Sequence, residues 1–308
     1  MKKTIADGVW PVMITPFTED NKIDYDAVLR IIEWYDKNGV DGIFAVCQSS
    51  EMFELNAKER AELAKFIINN TPKHMGVIAS GHCAEKVEDQ VREAQEVIDA
   101  GVDAYVFISN QFAKESESED VVKKNIEYLL DKIDGDMFGI YECPAPYKRL
   151  LSPELLEWCA KTEKFAFLKD TCCDLTQLEA KCKAVEGTGL KIFNANAATL
   201  LKSMQMGCAG YSGVMANFHP DLYVWLCKNY KTQPERAQEM MNFLGAASMV
   251  ECQVYPVNSK YHMNLVGVPM NLLSRRQDYK LLTGSKKLEI EEFCAITEEF
   301  RASFFEKE

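Results

Sequence analysis

One lysine stands directly after a short apolar segment. Residues 165–168 read F-A-F-L, Lys169 follows, and the chain then turns polar. If this segment is a buried strand, the amino group of Lys169 lies half inside an apolar environment, which disfavours its charged form and lowers its pKa. A neutral amine condenses with a ketone to form a Schiff base, which is an electron sink for making or breaking carbon–carbon bonds. The alternative is a strand-end lysine whose amino group simply reaches solvent.

Schiff-base chemistry needs two further kinds of group. One carries protons to and from the carbinolamine, and Tyr141, at the end of another apolar segment, is suited to this task. The other binds a substrate carboxylate, for which the hydroxyl and amide groups of Ser49 and Ser50 are suitable donors. Thr171 and Ser212 also follow apolar segments, and Ser212 suits either a pocket or a turn between two glycines.

The elements that must position these residues follow a repeating pattern. Helical segments alternate with eight β-type runs at residues 9–14, 42–47, 75–79, 104–108, 137–141, 165–168, 190–193 and 210–214. Capping signals support the helices, among them Asp24 and a capping box from Asn56 to Glu59. Eight such units predict an α/β fold, a TIM (β/α)8 barrel. The alternative, an open doubly wound sheet, usually carries a glycine-rich phosphate loop that this sequence lacks.

The chain is predicted to divide into a barrel and a tail. Beyond about residue 220 the β-type runs stop, and residues 234–251 and 288–305 have helical patterns. We therefore expect a catalytic barrel in residues 1–222 and a C-terminal helical appendage in residues 223–308. Because side chains at the carboxyl ends of barrel strands meet at one mouth, Lys169 and Tyr141 are expected to face each other there.

Composition narrows the classes of partner. The 308 residues are 47% hydrophobic and 27% charged, which is typical of a globular protein, and the net charge of −12 disfavours nucleic-acid binding. No run approaches the ~20 apolar residues of a membrane span, so no membrane partner is expected. No signal peptide is recognised, and the eleven cysteines include no C-x-x-C pair. The cysteines are therefore expected to be reduced thiols rather than disulfides, which favours a cytoplasmic protein.

Four motifs, taken in order, resemble one known family. They are T-P-F at 15–17, E-x-x-x-L-N at 51–56, Y-x-x-P at 141–144 and L-K-D-T at 168–171. Together they look like the dihydrodipicolinate synthase and N-acetylneuraminate lyase family of pyruvate-dependent class I aldolases, and the resemblance covers nearly the whole chain. It implies a TIM barrel, usually a homotetramer, in which Lys169 forms the Schiff base with pyruvate and Tyr141 shuttles protons. It implies no other cofactor and no metal.

The resemblance also implies where the pyruvate carboxylate binds. The family normally has G-[ST]-T-G-E in a loop that reads C-Q-S-S-E at residues 47–51 of this chain. Gln48 therefore stands at the first hydroxyl position, Ser49 at the second and Ser50 at the second glycine. Ser49 is the preferred carboxylate ligand, with Gln48 and Ser50 beside it.

Three departures from the family pattern bear on the substrate. In dihydrodipicolinate synthases a hydroxyl at the position of Gln48 and a tyrosine from a neighbouring subunit form a proton relay, and Phe112 stands at that second position. The synthase arginine that grips the acceptor's carboxylate aligns with Pro146, although Lys148 and Arg149 follow closely. The pattern favours a lyase-like aldolase that makes or cleaves a 2-oxo acid of the sialic acid, 2-keto-3-deoxy sugar acid or 4-hydroxy-2-oxoglutarate type. The synthase itself is the alternative.

Two other classes of function stay open. Glu51, Glu142 and Asp170 follow separate strands, as would the ligands of a divalent cation that stabilises an enolate. The four histidines show no zinc-binding spacing. The other class is a barrel that has lost catalysis and serves as a binding or regulatory protein. Retention of both Lys169 and Tyr141 weighs against it.

Overall fold

Eight parallel strands form the centre of the fold. The structure is a computed structural model that describes residues 4–306. Its strands are β1 Gly8–Val9, β2 Gly42–Val46, β3 Gly76–Ala79, β4 Ala104–Ile108, β5 Phe138–Tyr141, β6 Phe165–Asp170, β7 Lys191–Asn194 and β8 Gly210–Tyr211. They pair in the order β1-β8-β7-β6-β5-β4-β3-β2, and a parallel bridge from Val12 to Phe44 joins the two ends. The predicted TIM barrel is confirmed.

Helices alternate with the strands and cover the outside of the barrel. They are α1 Tyr25–Lys37, α2 Ala57–Asn70, α3 Val87–Asp99, α4 Glu119–Lys132, α5 Pro153–Lys161, α6 Leu175–Ala184, α7 Leu200–Gln205 and α8 Pro220–Asn229. The predicted caps are present: the Asp24 carboxylate accepts from the amide of Ala27, and Asn56 and Glu59 form the reciprocal capping box. Local capping thus ends the loops that follow the strands at defined residues.

The C-terminal tail consists of α9 Pro234–Ala247, α10 Val257–Leu265 and α11 Gly284–Phe305. Buried residues of the tail, such as Leu244 and Phe304, belong to the same hydrophobic core as barrel residues. The predicted boundary after residue 222 falls inside α8, so the barrel's last helix extends past it. Within residues 4–306, no helix is both long and apolar enough to cross a membrane.

Aromatic side chains fill the amino-terminal end of the barrel. Trp10 packs edge-on against Phe167 and Phe193, with ring centroids 6.0 and 6.1 Å apart. A Cβ atom at Gly42 or Gly76 would lie 2.3 or 2.4 Å from the Trp10 ring, so only glycine leaves room for the indole. This packed end leaves the carboxyl ends of the strands as the place for polar chemistry.

Candidate active site

Lys169 and Tyr141 lie side by side at the carboxyl ends of two neighbouring strands. They are direct partners in the register of β5 and β6. The Nζ atom of Lys169 lies 4.3 Å from the centroid of the Tyr141 ring and 5.9 Å from that of Phe44. Lys169 is only 3% exposed, and burial lowers the pKa of its amine below the usual 10.5. The structure thus places the two predicted catalytic residues together and shifts the amine towards its nucleophilic form.

The hydroxyl of Tyr141 contacts the side chain of Gln48. In the orientation that satisfies both neighbours, the Gln48 amide nitrogen donates to this hydroxyl over 3.3 Å. The amide oxygen accepts from Nη1 and Nη2 of Arg276, at 2.8 and 3.0 Å. Burial raises the pKa of Tyr141 well above 10, and nearby thiols such as Cys143 add to the rise. The phenol is therefore protonated at neutral pH and can begin a reaction as a proton donor.

A carboxyl group from the tail acts electrostatically on Lys169. Glu251 belongs to the 3-10 turn Ser248–Cys252, which follows α9. Burial raises the pKa of Glu251, and the positive charge of Lys169 opposes the rise. In return, the Glu251 carboxylate partly offsets the lowering of the Lys169 pKa. The site therefore contains a second ionisable group beside the amine, contributed by a distant part of the chain.

The two serines after β2 have different surroundings. The hydroxyl of Ser50 closes its own loop, because it accepts from the Cys47 amide and donates to the Cys47 carbonyl. Ser49 interacts instead with Tyr255: burial raises the pKa of Tyr255, and the side chain of Ser49 opposes the rise. The Tyr255 hydroxyl also accepts from Asn217 at 3.1 Å. Ser49 thus keeps an exchangeable partner, whereas the hydroxyl of Ser50 is held within the loop.

Two other predicted substrate-binding residues make contacts within the protein. The hydroxyl of Thr171 donates to the Glu142 carbonyl over 2.6 Å and so ties the end of β6 to that of β5. The ring of Phe112 is 1% exposed and packs against Phe107 and His82, with centroids 5.5 and 6.2 Å away. Both side chains support the barrel mouth, and direct contact with a substrate stays a prediction for each.

Ser212 presents a different case. Its side chain is fully buried just past β8, and its hydroxyl has no hydrogen-bond partner among the described residues. Ser80, directly after β3, is buried in the same way and its hydroxyl likewise lacks a partner there. A buried hydroxyl without a partner is costly. Both groups therefore suit hydrogen bonds to a bound molecule, and Ser80 was not among the predicted site residues.

The carboxylates considered for a metal ion are paired with lysines. Lys181 contacts Glu142 and Asp170 at 2.6 Å each, and all three side chains are buried. Glu51 is separate and lies 3.3 Å from the buried Nζ of Lys260. In residues 4–306, no group of three or more acidic, histidine or cysteine side chains is placed to hold a metal. The metal-dependent alternative therefore gains no support from this geometry.

Comparison with known proteins identifies the family. Residues 6–293 match the model of the Dihydrodipicolinate synthetase family. The chain belongs to this family. It is 24% identical, over 84% of its length and 88% of the relative's, to the 4-hydroxy-tetrahydrodipicolinate synthase of Clostridium perfringens. The dihydrodipicolinate synthetase family consists of lyase and aldolase enzymes, and this chain is accordingly an enzyme with the class I pyruvate aldolase fold.

Solved structures of family members superpose closely on this chain. YagE, a prophage protein of the dihydrodipicolinic acid synthase family from E. coli K12 in complex with pyruvate, matches with a TM-score of 0.84 at 21% identity. That match covers 96% of this chain and 98% of YagE. CdNal from Clostridium difficile, in complex with mannosamine, matches with a TM-score of 0.83 at 19% identity over 94% and 98% of the two chains. At these identities the superpositions show the shared fold.

The tail contributes three residues that sequence reasoning missed in this family member. Glu251, Tyr255 and Arg276 reach the barrel mouth from turns between the tail helices. In the sequence each of them is simply a polar residue in an irregular segment. Many surface residues have the same description, so the pattern does not identify them as site residues. Their placement depends on how the tail docks.

A large cavity of about 1210 Å³ lies at the opposite end of the barrel. Its lining includes Phe165 and Ala166, which begin β6, whereas Lys169 stands near the end of the same strand. In a TIM barrel the chemistry occurs at the carboxyl ends of the strands. We therefore assign the active site to the mouth around Lys169 rather than to this cavity.

Proposed function

We propose that this protein is a Schiff-base aldolase that forms or cleaves a 2-oxo acid with pyruvate as one partner. The observation that carries the proposal is the buried Lys169 amine beside Tyr141 at the barrel mouth. In the synthetic direction the neutral amine attacks C2 of pyruvate and gives a carbinolamine. Loss of water leaves an iminium ion, which releases a methyl proton to become an enamine. The enamine adds to an aldehyde whose oxygen takes up a proton, and water then hydrolyses the new iminium to release the 2-oxo acid and free the amine. Cleavage is the reverse.

The neighbouring residues receive roles that follow from their contacts. Tyr141 donates a proton to the departing hydroxyl of the carbinolamine and later recovers it, while the Gln48 amide holds the phenolic oxygen. Ser49 and Ser212 are the preferred hydrogen-bond donors to bound pyruvate, because one hydroxyl has an exchangeable partner and the other has none described. The iminium nitrogen is itself the electron sink, so we expect activity to survive a chelator.

Trapping with pyruvate and cyanoborohydride tests the nucleophile. We expect the reduced pyruvyl adduct on Lys169, and none in the Lys169→Arg variant. Because the amine reacts only when it is neutral, the trapping rate should rise with pH. The midpoint of this rise should lie below 10.5, the ordinary pKa of a lysine. Peptide mapping by mass spectrometry identifies the modified residue.

Lys260 is the internal control for this experiment. It is also buried, and burial lowers its pKa to about 8, but it is paired with Glu51 and donates to the Leu273 carbonyl. We therefore expect Lys260 to stay unmodified. An adduct on Lys260 would contradict the assignment of Lys169 as the nucleophile. No adduct at all on a folded sample would contradict the proposed mechanism and favour the non-catalytic barrel.

The second candidate is 4-hydroxy-tetrahydrodipicolinate synthase, which the name of the C. perfringens relative favours. Phe112 and Pro146 stand where the synthase relay and its arginine are expected from the family pattern, which disfavours this activity. A coupled reductase assay with pyruvate and aspartate semialdehyde measures it directly. The parallel assay follows pyruvate release from sialic acid, 2-keto-3-deoxy sugar acids and 4-hydroxy-2-oxoglutarate. The homotetramer and the cytoplasmic location stay predictions.

A further inference from the structure

A short segment of the tail is anchored at the edge of the barrel mouth. The carboxylate of Glu51, which is 1% exposed, accepts three hydrogen bonds from this segment through Oε2. The donors are the Ser274 hydroxyl at 2.9 Å, the Arg275 amide at 2.6 Å and the Arg276 amide at 2.9 Å. A carboxylate that holds three consecutive residues fixes their backbone and hence the direction in which Arg276 leaves it.

The side chain of Arg276 points towards the catalytic tyrosine. Its guanidinium donates to the Gln48 amide oxygen, and the Gln48 amide nitrogen donates to the Tyr141 hydroxyl. Arg276 is therefore two hydrogen bonds away from Tyr141, and the residue is exposed to solvent. A guanidinium has five N–H donors, so Arg276 can donate to a further acceptor while it holds Gln48. Glu54 is the acid whose pKa the Arg276 charge lowers, against the larger raising effect of burial.

Three other cations near the mouth are hydrogen-bonded to protein groups. Arg275 forms a bidentate pair with Glu59 at 2.8 and 2.9 Å. Arg149, which the sequence offered as a replacement for the missing synthase arginine, donates to backbone carbonyls of the loop before α4. Lys148 donates to the Thr171 carbonyl at 2.9 Å. Arg276 differs because its described hydrogen-bond acceptor is the side-chain amide of a site residue.

We propose that Arg276 binds a carboxylate at the acceptor end of the substrate, and that the 2-oxo acid handled by this enzyme is a dicarboxylate. This inference rests on the proposed Schiff-base function of Lys169. A guanidinium matches a carboxylate with two parallel hydrogen bonds, which a lysine or an amide cannot reproduce. The enamine of pyruvate attacks the aldehyde carbon beside Tyr141, so the aldehyde's own carboxylate extends towards the rim where Arg276 stands. Neutral sugar aldehydes lack a partner for this charge.

The test uses Schiff bases that differ only at the far end of the ligand. Pyruvate, 2-oxopentanoate, 2-oxoglutarate and 2-oxoadipate are trapped on Lys169 with cyanoborohydride, and the modified fraction is followed against concentration. 2-Oxopentanoate ends in a methyl group, whereas the last two end in a carboxylate. We expect at least one diacid to half-saturate the wild-type enzyme at a concentration about 10- to 100-fold below that of 2-oxopentanoate. The Arg276→Gln variant should lose this preference, so that the half-saturating concentrations of diacid and 2-oxopentanoate become similar.

Two further variants separate recognition from support. Arg276→Lys keeps the charge without the planar fork, and should retain only part of the preference. Arg275→Gln removes the neighbouring guanidinium and its pair with Glu59, and should keep the full preference even if it melts at a lower temperature. The half-saturating concentrations of the diacid and of 2-oxopentanoate are compared as a ratio within each variant. A smaller amount of folded protein therefore does not change the result.

Three outcomes would overturn the proposal. They are equal use of diacid and monoacid by the wild-type enzyme, an unchanged preference in Arg276→Gln, and a loss of pyruvate trapping in that variant. The last result would assign Arg276 to pyruvate or to the support of Tyr141 instead. A wild-type enzyme that traps no pyruvate at all would refute the proposed function itself, which is a distinguishable failure.

Discussion

At the residue scale, the surroundings of a buried lysine decide what it can do. Lys181 is enclosed by two carboxylates, which outweigh burial and raise its pKa. Lys260 has one carboxylate partner, and burial still lowers its pKa to about 8. Lys169 has aromatic rings as its described contacts, and burial lowers its pKa against smaller opposing effects of Cys47, Cys143 and Glu251. Among these three, Lys169 is the lysine whose environment favours a neutral amine without also binding it to a carboxylate.

The Tyr141→Phe variant tests the proton carrier. Removal of the hydroxyl should lower turnover by about 10²–10⁴, the usual contribution of general acid–base catalysis. The fold should persist, because the ring that packs against Phe44 is kept. Turnover is measured with a substrate found by the pyruvate-release assay.

Tyr230→Phe is the matched control for this change. Its hydroxyl donates to the Met204 carbonyl in the helical layer outside the barrel. We expect unchanged turnover in this variant. If Tyr141→Phe were equally active, proton transfer would have to be assigned to another group, and Glu251 would be the first to examine.

At the element scale, a buried ion cluster joins the ends of β5 and β6. Lys181, on α6, binds Glu142 directly after β5 and Asp170 at the end of β6. The second oxygen of Glu142 accepts from the Thr171 amide, so four groups hold the two strand ends together. Burial raises the pKa of Glu142 to about 7, whereas Lys181 keeps that of Asp170 low. Glu142 and Asp170 directly follow Tyr141 and Lys169 in the sequence, so the cluster helps to fix the register of this proposed catalytic pair.

Lys181→Met should destabilise the protein by about 3–5 kcal/mol, because it leaves two buried carboxylates without their partner. The loss should grow with pH. Without Lys181, the folded-state pKa of Glu142 rises further above its ordinary value of 4.5, so the folded state holds more protons than the unfolded state. Stability then falls as the pH rises above that ordinary value. Denaturant unfolding at pH 5 and pH 8 measures the difference.

Lys183→Met is the control on the same helix. Lys183 is exposed and pairs with Glu179 one turn away, so its replacement should change stability by less than about 0.5 kcal/mol. If the two substitutions lowered the free energy of unfolding by similar amounts, charge would not be what holds the cluster. The same would follow if the destabilisation by Lys181→Met did not depend on pH.

At the scale of the whole molecule, the tail contributes residues to the candidate active site. A single carboxylate, Glu51, receives Lys260 from α10 and the backbone of residues 274–276, which lie between α10 and α11. Glu51 itself has a φ of 60°, a left-handed conformation that is uncommon for a side-chain-bearing residue. The carboxylate at this position contacts Lys260 and residues 274–276 of the tail. Glu51 therefore links the loop at residues 47–51 directly to the docked tail.

Glu51→Gln should lower the free energy of unfolding by about 3–5 kcal/mol, since it leaves Lys260 buried without a counter-charge. Amide hydrogen exchange at residues 274–276 should become faster, because an amide group replaces the carboxylate that accepts from these residues. Glu62→Gln makes the same chemical change in an exposed pair with Lys58, and should cost no more than about 1 kcal/mol. Unchanged exchange at residues 274–276 in Glu51→Gln would show that other contacts hold the tail.

Local patterns in the sequence were sufficient to predict the barrel and the placement of Lys169 and Tyr141 together at its mouth. Strand and helix periodicity repeats over short stretches, and a cap such as that at Asn56 acts over three residues. Both features can therefore be recognised from the sequence without knowledge of the fold. Lys169 was predictable because strand ends in a barrel share one mouth. The positions of Glu251 and Arg276 could not be predicted from the sequence. Glu251 acts on Lys169 across more than 80 residues and Arg276 binds Glu51 across more than 200, and both contacts depend on how the tail docks. Nor does a residue's type reveal its hydrogen-bond partners: the hydroxyl of Ser50 is held by its own loop and that of Ser212 lacks a described partner, and only the three-dimensional neighbours distinguish the two.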